Sequence, residues 1–296
     1  MRHHAIVTAG TGGIGLETAL GLAAAGFAVT VVGRDAGRGA RAVERITAAA
    51  PAHPARFLPA DLSSLGEVRA LAAHLAAEHA APGRPLKVLV NNVGAMFAER
   101  RDAGGVEASF VVNHLSPYLL TELLLPTLSS GAPSRIVNVT SGAVGVAKRV
   151  FDAVEPPGGY YGFHWYGRAK LANLAYTLDL AARLDGSGVS VFAADPGGAA
   201  TGMTNGTMDE PRIVSPGLRL LWPLVRRKFA RSTVGPASVA ARPSIVAATA
   251  ATLEGRTGVV IGADGRPVAP FRPSTQPDIV AAVRRLSERH APLTVS

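Results

Sequence analysis

Short apolar runs rich in valine and isoleucine recur along the chain and alternate with longer alanine- and leucine-rich stretches. The runs Ala5–Thr8, Ala28–Gly33, Arg56–Ala60, Val88–Asn91, Arg135–Thr140, Val189–Ala194 and Gly258–Ile261 read as strands, most of them apolar enough to be buried on both faces. Between them Gly15–Ala25, Arg38–Ala49, Leu65–Glu78, Gly105–Leu128, Tyr166–Leu184 and Ser238–Ala251 place apolar residues at helical spacing. Strand and helix in alternation predict βαβ units. Right-handed crossovers then make the economical fold α/β: a Rossmann-type, doubly wound parallel sheet of about seven strands with helices on both faces. Ligands of such sheets sit beyond the carboxyl ends of the strands, and every motif described below follows one of these strands.

No repeat or linker divides the chain, so residues 1–296 read as a single domain. Residues 202–238 lack strand or regular helix character and mix Pro, Gly, Trp and Arg, which suggests an insertion covering the site. Within it Pro216–Arg231 interleaves apolar and basic residues. A packed covering helix with a basic outer face is one reading; a lipophilic entrance or membrane-surface contact is the other. Residues 265–296 form a C-terminal extension in which Pro277–Arg289 looks like a surface helix.

Composition narrows the chemistry. Hydrophobic residues at 48% and charged ones at 17% support a sizeable core and argue against disorder. The absence of cysteine removes disulfides, thiolate zinc sites and cysteine nucleophiles together, and no metal site is expected. The net charge is +9, but the arginines are dispersed and lack interleaved base-stacking aromatics, so no nucleic-acid partner is expected. A positive field favours an anionic, phosphate-bearing ligand. No apolar run reaches the roughly 18 residues of a membrane span, and no signal-peptide pattern follows the start. A cytoplasmic location without membrane contact is the expectation.

The first strand runs into Thr8-Ala9-Gly10-Thr11-Gly12-Gly13-Ile14-Gly15 and then a helix. Gly10, Gly12 and Gly15 satisfy G-x-G-x-x-G, with the strand before and helix after that a pyrophosphate cradle requires. Gly10, Thr11, Gly12, Gly13, Ile14 and Gly15 are therefore candidate phosphate-end contacts. The second strand ends Gly33-Arg34-Asp35. An arginine there pairs with a 2′-phosphate, whereas a carboxylate binds the ribose diol. Arg34, with Arg38 as a second contact, would pair with a 2′-phosphate and select NADP(H); with the register slipped by two, Asp35 becomes the ribose ligand and NAD(H) is selected.

Of the five tyrosines, only Tyr166 has a lysine four residues on, Lys170, which puts both side chains on one helix face. A phenol of ordinary pKa about 10 exchanges protons slowly near neutrality, and a neighbouring ammonium and a cationic nicotinamide would draw that value down. Ser141 closes the run Arg135–Ser141 at a strand tip, placed to hydrogen-bond a substrate oxygen. Asn113 lies among apolar residues in a helix that Pro117 should perturb. It reads either as a satisfied core amide or as the holder of a water linking Lys170 to solvent.

Taken together these motifs resemble the short-chain dehydrogenase/reductase family, from about residue 5 to 265. Thr8, Gly13, Ile14 and Gly15 match its T-G-x-x-x-G-I-G loop, except that Ala9 stands at the first glycine, so Gly10 or Gly12 is expected to take the strained conformation. The resemblance implies that Asp61 and Leu62 lie near the adenine, although Asp61 reads equally well as the N-cap of the next helix. It also makes Asn91-Asn92-Val93-Gly94 the counterpart of N-N-A-G. Pro196, Gly197 and Thr201 would meet the nicotinamide carboxamide, and Asn113, Ser141, Tyr166 and Lys170 would form a catalytic tetrad. In that tetrad Tyr166 transfers the proton, Ser141 steadies the oxygen, and Lys170 tunes Tyr166 while binding the nicotinamide ribose. G-R-D-x-x-R-G after the second strand, V-N-H-L-S-P-Y-L-L-T in the fourth helix, and the gap from Ser141 to Tyr166 are similar to retinol-dehydrogenase-like and WW-domain-oxidoreductase-like members. Gly167-Arg168-Ala169 departs from the serine-rich filler common in that branch. The implied activity is hydride transfer between NADP(H) and a carbonyl or alcohol of a lipophilic small molecule, in a protein that could form homo-oligomers. The competing reading is a dinucleotide-binding regulator or scaffold without turnover.

Overall fold

The computed structural model describes residues 3–197, 213–220, 223, 224, 227 and 235–294. The first half runs β1 (His4–Thr8), α1 (Gly13–Ala24), β2 (Ala28–Gly33), α2 (Ala36–Ala49), β3 (Arg56–Pro59), α3 (Leu65–His79) and β4 (Leu86–Asn91). A hairpin of β5 (Asp102–Ala103) and β6 (Val106–Glu107) precedes α4 (Ala108–Phe110), one π-helical stretch (Val111–Leu115) and α5 (Ser116–Ser130). Then follow β7 (Ser134–Val139), a 3₁₀ turn (Gly142–Val146), α6 (Gly162–Arg183) and β8 (Val189–Ala194). The remaining elements are α7 (Pro216–Leu220), α8 (Ala237–Thr249), β9 (Val259–Ile261), β10 (Pro267–Val268) and α9 (Pro277–His290).

The main sheet has 8 strands in the order β10-β9-β8-β7-β4-β1-β2-β3. Every pairing is parallel except β10 with β9, so the expected parallel sheet carries one antiparallel edge strand drawn from the C-terminal extension. Strand order reverses between β1 and β4, which opens a crevice above their carboxyl ends. Side chains alternate across the sheet. Val29, Val31, Val88, Val90 and Val137 pack under Leu16, Leu22, Ile46 and Ala247 of α1, α2 and α8. Ile6, Val32, Leu89, Ile136 and Val191 face Val68, Leu75, Leu119, Leu124 and Leu171 of α3, α5 and α6. Both faces are thus dry, as a parallel sheet requires.

Several boundaries differ from the sequence expectation for local reasons. Gly105 does not start a helix: it and Gly104 have φ of 85° and 67°, the paired positive values of a tight hairpin turn. Pro117 has no N–H to return to the carbonyl four residues back, and the chain answers with a π-helical turn in which Ser116 N–H donates to Val111 O. α6 begins at Gly162, so Phe163, His164 and Trp165 are helical. The expected insertion lies largely outside the described residues, and no helix among those described is long and apolar enough to cross a membrane.

Candidate active site

The end of β4 joins the parts of the site. Asn92 N–H and Val93 N–H both donate to Thr8 Oγ1, at 3.0 and 3.1 Å, and the Asn92 amide donates to Thr8 O at 3.1 Å. This ties the glycine loop to the crevice. Val93 O accepts from Lys170 Nζ at 3.3 Å. Ala95 is gripped at both backbone groups by the Asn113 side chain, whose Oδ1 accepts from Ala95 N at 3.2 Å and whose Nδ2 donates to Ala95 O at 2.7 Å. Asn113 is completely buried and also donates to Ser109 O, so its amide is a satisfied core group that positions the loop. Asn91 points into the core, where its amide donates to Thr121 Oγ1 and Asn138 Oδ1. Leu62 belongs to the hydrophobic core.

The glycine loop is built for close approach. A Cβ on Gly10 would meet Val31 Cγ1 and Val7 O at 2.8 Å, and one on Gly15 would run into the Ala9 carbonyl and the Asn92 amide. Gly12 faces open space, with nothing within 4 Å of such a Cβ. A cradle closed behind Gly15 and open before Gly12, at a helix N-terminus, fits a dinucleotide pyrophosphate. The strained conformation falls on Ala9 itself, at φ 49°, and on Gly13 at 52°. Neither Gly10 nor Gly12 relieves Ala9, because Gly10 is wedged against β2 and Gly12 is extended at φ −175°.

At the tip of β2, a Cβ on Gly33 would meet Thr11 Cγ2 at 2.9 Å, so no acidic side chain fits there without displacing Thr11. Asp35 is engaged otherwise: its carboxylate accepts from Arg38 N–H at 2.7 Å and caps α2. That bond, first among the causes, holds the Asp35 carboxyl below its usual range. Arg34, 68% exposed, lies 3.9 Å from Asp61 Oδ2. Asp61 does not cap α3; Ser64 does, while Asp61 accepts from Ser63 N–H and Oγ.

Tyr166 and Lys170 stand one turn apart on α6, both almost wholly buried, with Nζ 5.9 Å from the phenol ring centroid. Ser141 follows β7, where its Oγ accepts from Ala143 N–H at 3.2 Å and its side chain stands beside the Tyr166 phenol. Burial pushes the Tyr166 phenol up to about 12, Ser141 pulls it back, and Asp195 adds to the rise. The lowering expected from a neighbouring ammonium together with a cationic nicotinamide belongs to the cofactor-bound site; in the free chain burial is the first cause and sets the direction. Burial also brings Lys170 down to about 7, while its Nζ donates to Val139 O at 2.9 Å.

Sequence reasoning missed Asp195, whose carboxyl is raised by burial and accepts from Gly197 N–H at 3.0 Å. An acid directly before Pro196 at a strand tip was the available signal. It also missed Arg168, which is 1% exposed and donates to the carbonyls of Val150, Ala153 and Val154 between the rings of Phe110 and Phe151. The sequence marks Gly167-Arg168-Ala169 as a departure from the family filler, but the loop carbonyls that Arg168 binds, 14 to 18 residues earlier, follow no periodic pattern that would reveal its burial. Pro196 and Gly197 follow β8 on the same edge, and Thr201 lies outside the described residues. Ala143, Phe163, Ile213 and Val214 surround Tyr166 with an apolar wall.

A phenol–ammonium pair beside a dinucleotide cradle at a sheet's switch point defines an oxidoreductase of the nicotinamide-dependent class. Residues 3–212 match the short chain dehydrogenase family, and the chain belongs to that family, near its retinol-dehydrogenase-like members. It is 35% identical to retinol dehydrogenase 12 of Mus musculus over 254 residues, covering 86% of this chain and 75% of that protein. With polyprenol dehydrogenase of Mus musculus it shares 40% identity over 200 residues, 65% of this chain and 58% of the relative. Among solved structures, the Pseudomonas aeruginosa RhlG/NADP active-site complex superposes with a TM-score of 0.66 at 29% identity, covering 89% of this chain and 95% of that one.

Proposed function

We propose that the protein interconverts a carbonyl and an alcohol on a lipophilic small molecule using NADP(H), with Tyr166 as general acid and base. The observation that carries this reading is the buried Tyr166 phenol, beside Ser141 and one turn from buried Lys170, at the carboxyl edge of the sheet. When bound, the dinucleotide supplies or accepts a hydride at its nicotinamide ring. The phenol carries its proton at pH 7, and the Lys170 ammonium and a bound cationic nicotinamide would draw its raised pKa down toward the working range of a general acid and base. Ser141 orients that oxygen. Lys170 commits two donors to the Val93 and Val139 carbonyls, and its third is assigned to the nicotinamide ribose.

NADP(H) is favoured over NAD(H) because the β2 tip carries no side chain at Gly33, Asp35 is occupied as a cap, and Arg34 and Arg38, each in an exposed 3.9 Å ion pair, have guanidinium donors left for a 2′-phosphate. The apolar wall around Tyr166 favours a lipophilic substrate, and the names of the retinol and polyprenol dehydrogenase relatives point the same way. The test is NADPH consumption across lipophilic aldehydes, ketones and quinones, with Tyr166→Phe beside wild type. Loss of about a thousandfold in kcat is expected for the variant; undiminished turnover would reject Tyr166 as the proton donor.

A further inference from the structure

His164 occupies the first turn of α6, two residues before Tyr166, and both its ring nitrogens are engaged. Nδ1 lies 2.8 Å from Val146 O and Nε2 lies 3.2 Å from Ser215 N. A carbonyl only accepts and a backbone N–H only donates, so Nδ1 carries the hydrogen and Nε2 offers its lone pair. Val146 ends the 3₁₀ turn that begins just after Ser141. Ser215 directly follows Ile213 and Val214, both fully buried and packed with Ala143, Phe163 and Tyr166. One imidazole thus joins the turn carrying Ser141, the helix carrying Tyr166, and the apolar wall beside the phenol. Arg219 reinforces the wall segment, donating to Val214 O at 3.0 Å with its guanidinium 5.7 Å from the Tyr161 ring centroid.

We infer that His164 is a positioning residue that gives the site its preference for bulky lipophilic carbonyls, by fixing the Ile213–Val214 wall to the catalytic helix. The inference rests on the proposed role of Tyr166. A bulky substrate gains apolar contact with the wall in both ground and transition states, whereas a small one reaches Tyr166 and Ser141 without it. Loosening the wall therefore raises KM for the bulky substrate selectively.

Two variants separate the tie from the volume of the ring. His164→Phe keeps a ring and removes both polar links. His164→Gln retains one donor and one acceptor on its amide. With NADPH, His164→Phe is expected to raise KM for a long-chain or polycyclic carbonyl about tenfold, with the KM for a short-chain aldehyde within about twofold of wild type. His164→Gln should return the bulky-substrate KM to within about threefold of wild type. Independently of turnover, hydrogen exchange at the Ser215 amide should quicken about tenfold in His164→Phe and stay protected in His164→Gln. Unchanged exchange in His164→Phe overturns the tie, and faster exchange with unchanged KM overturns the selectivity. If wild type oxidises NADPH with none of the carbonyls tested, the reading of the reaction has failed and the selectivity falls with it, while the exchange arm still decides the tie.

Discussion

Lys170 and Tyr166 depart from their ordinary pKa values in opposite directions for the same reason: burial disfavours whichever form is charged. The consequence for stability has a definite sign. Lys170 falls from 10.5 to about 7, so between those values the unfolded chain holds a proton that the folded one lacks, and stability rises with pH. Tyr166 acts only above 10, where the folded chain keeps a proton that the unfolded one has lost and stability falls. Buried His114, lowered to about 3 by desolvation, has its window below the ordinary 6.5, and Arg168, lowered to about 10, has its window above. From pH 7.5 to 9.5 the Lys170 contribution therefore dominates. The free protein should gain about 1 kcal/mol of stability per pH unit across that range. Lys170→Met should flatten the slope in urea unfolding, and an equal slope in both proteins would refute the assignment. The pairing of these two residues was legible in the sequence, because it is a matter of helical spacing. The direction of the phenol shift was not, because desolvation comes from Ile213, Val214 and other residues distant in the chain.

At the scale of elements, the contact between α6 and the 3₁₀ turn sets the distance from Ser141 to Tyr166. Gly167, on the same helix, lies against the Ala143 carbonyl, and a Cβ there would run into it while standing 3.4 Å from Ala147 Cα. The next residue, Arg168, holds the Val150–Val154 loop by three carbonyls. The sequence marks Gly167-Arg168-Ala169 as a departure from the family filler. The fold supplies its reason: a small residue for close approach, and a long donor to fasten the loop. Gly167→Ala should push the Ser141 turn away from Tyr166 and lower kcat about a hundredfold, as misplacement of a reacting group by about 1 Å does. NADPH affinity should change little, since the phosphate cradle lies on α1. A kcat within twofold of wild type would show that the turn yields without cost to the site. The strand–helix alternation was readable because period and length suffice for it. The hairpin at Gly104-Gly105 and the π-helical turn were not, since each depends on how one or two residues satisfy their backbone groups.

Across the whole molecule, the reversal of strand order between β1 and β4 gathers the carboxyl ends of β1, β2, β4, β7 and β8 around one crevice. The adenine side of that crevice is where the net charge of +9 acquires a local meaning. Arg34 is held only loosely, 3.9 Å from an Asp61 carboxylate that is itself partly exposed. An exposed pair of that length contributes little to stability, so Arg34→Ala should leave the free protein's thermal midpoint nearly unchanged. Ligand-induced stabilisation reads the cofactor contact separately, because a ligand at a hundredfold its Kd adds about 2.7 kcal/mol to the folded state. For wild type, NADPH should raise the midpoint more than NADH at equal concentration. In Arg34→Ala the NADPH shift should shrink to that of NADH while the NADH shift stays in place. Parallel loss of both shifts would place Arg34 on a part common to the two dinucleotides and would remove the argument for a 2′-phosphate. A larger shift with NADH in wild type would return the ribose to Asp35, at the expense of the cap on α2.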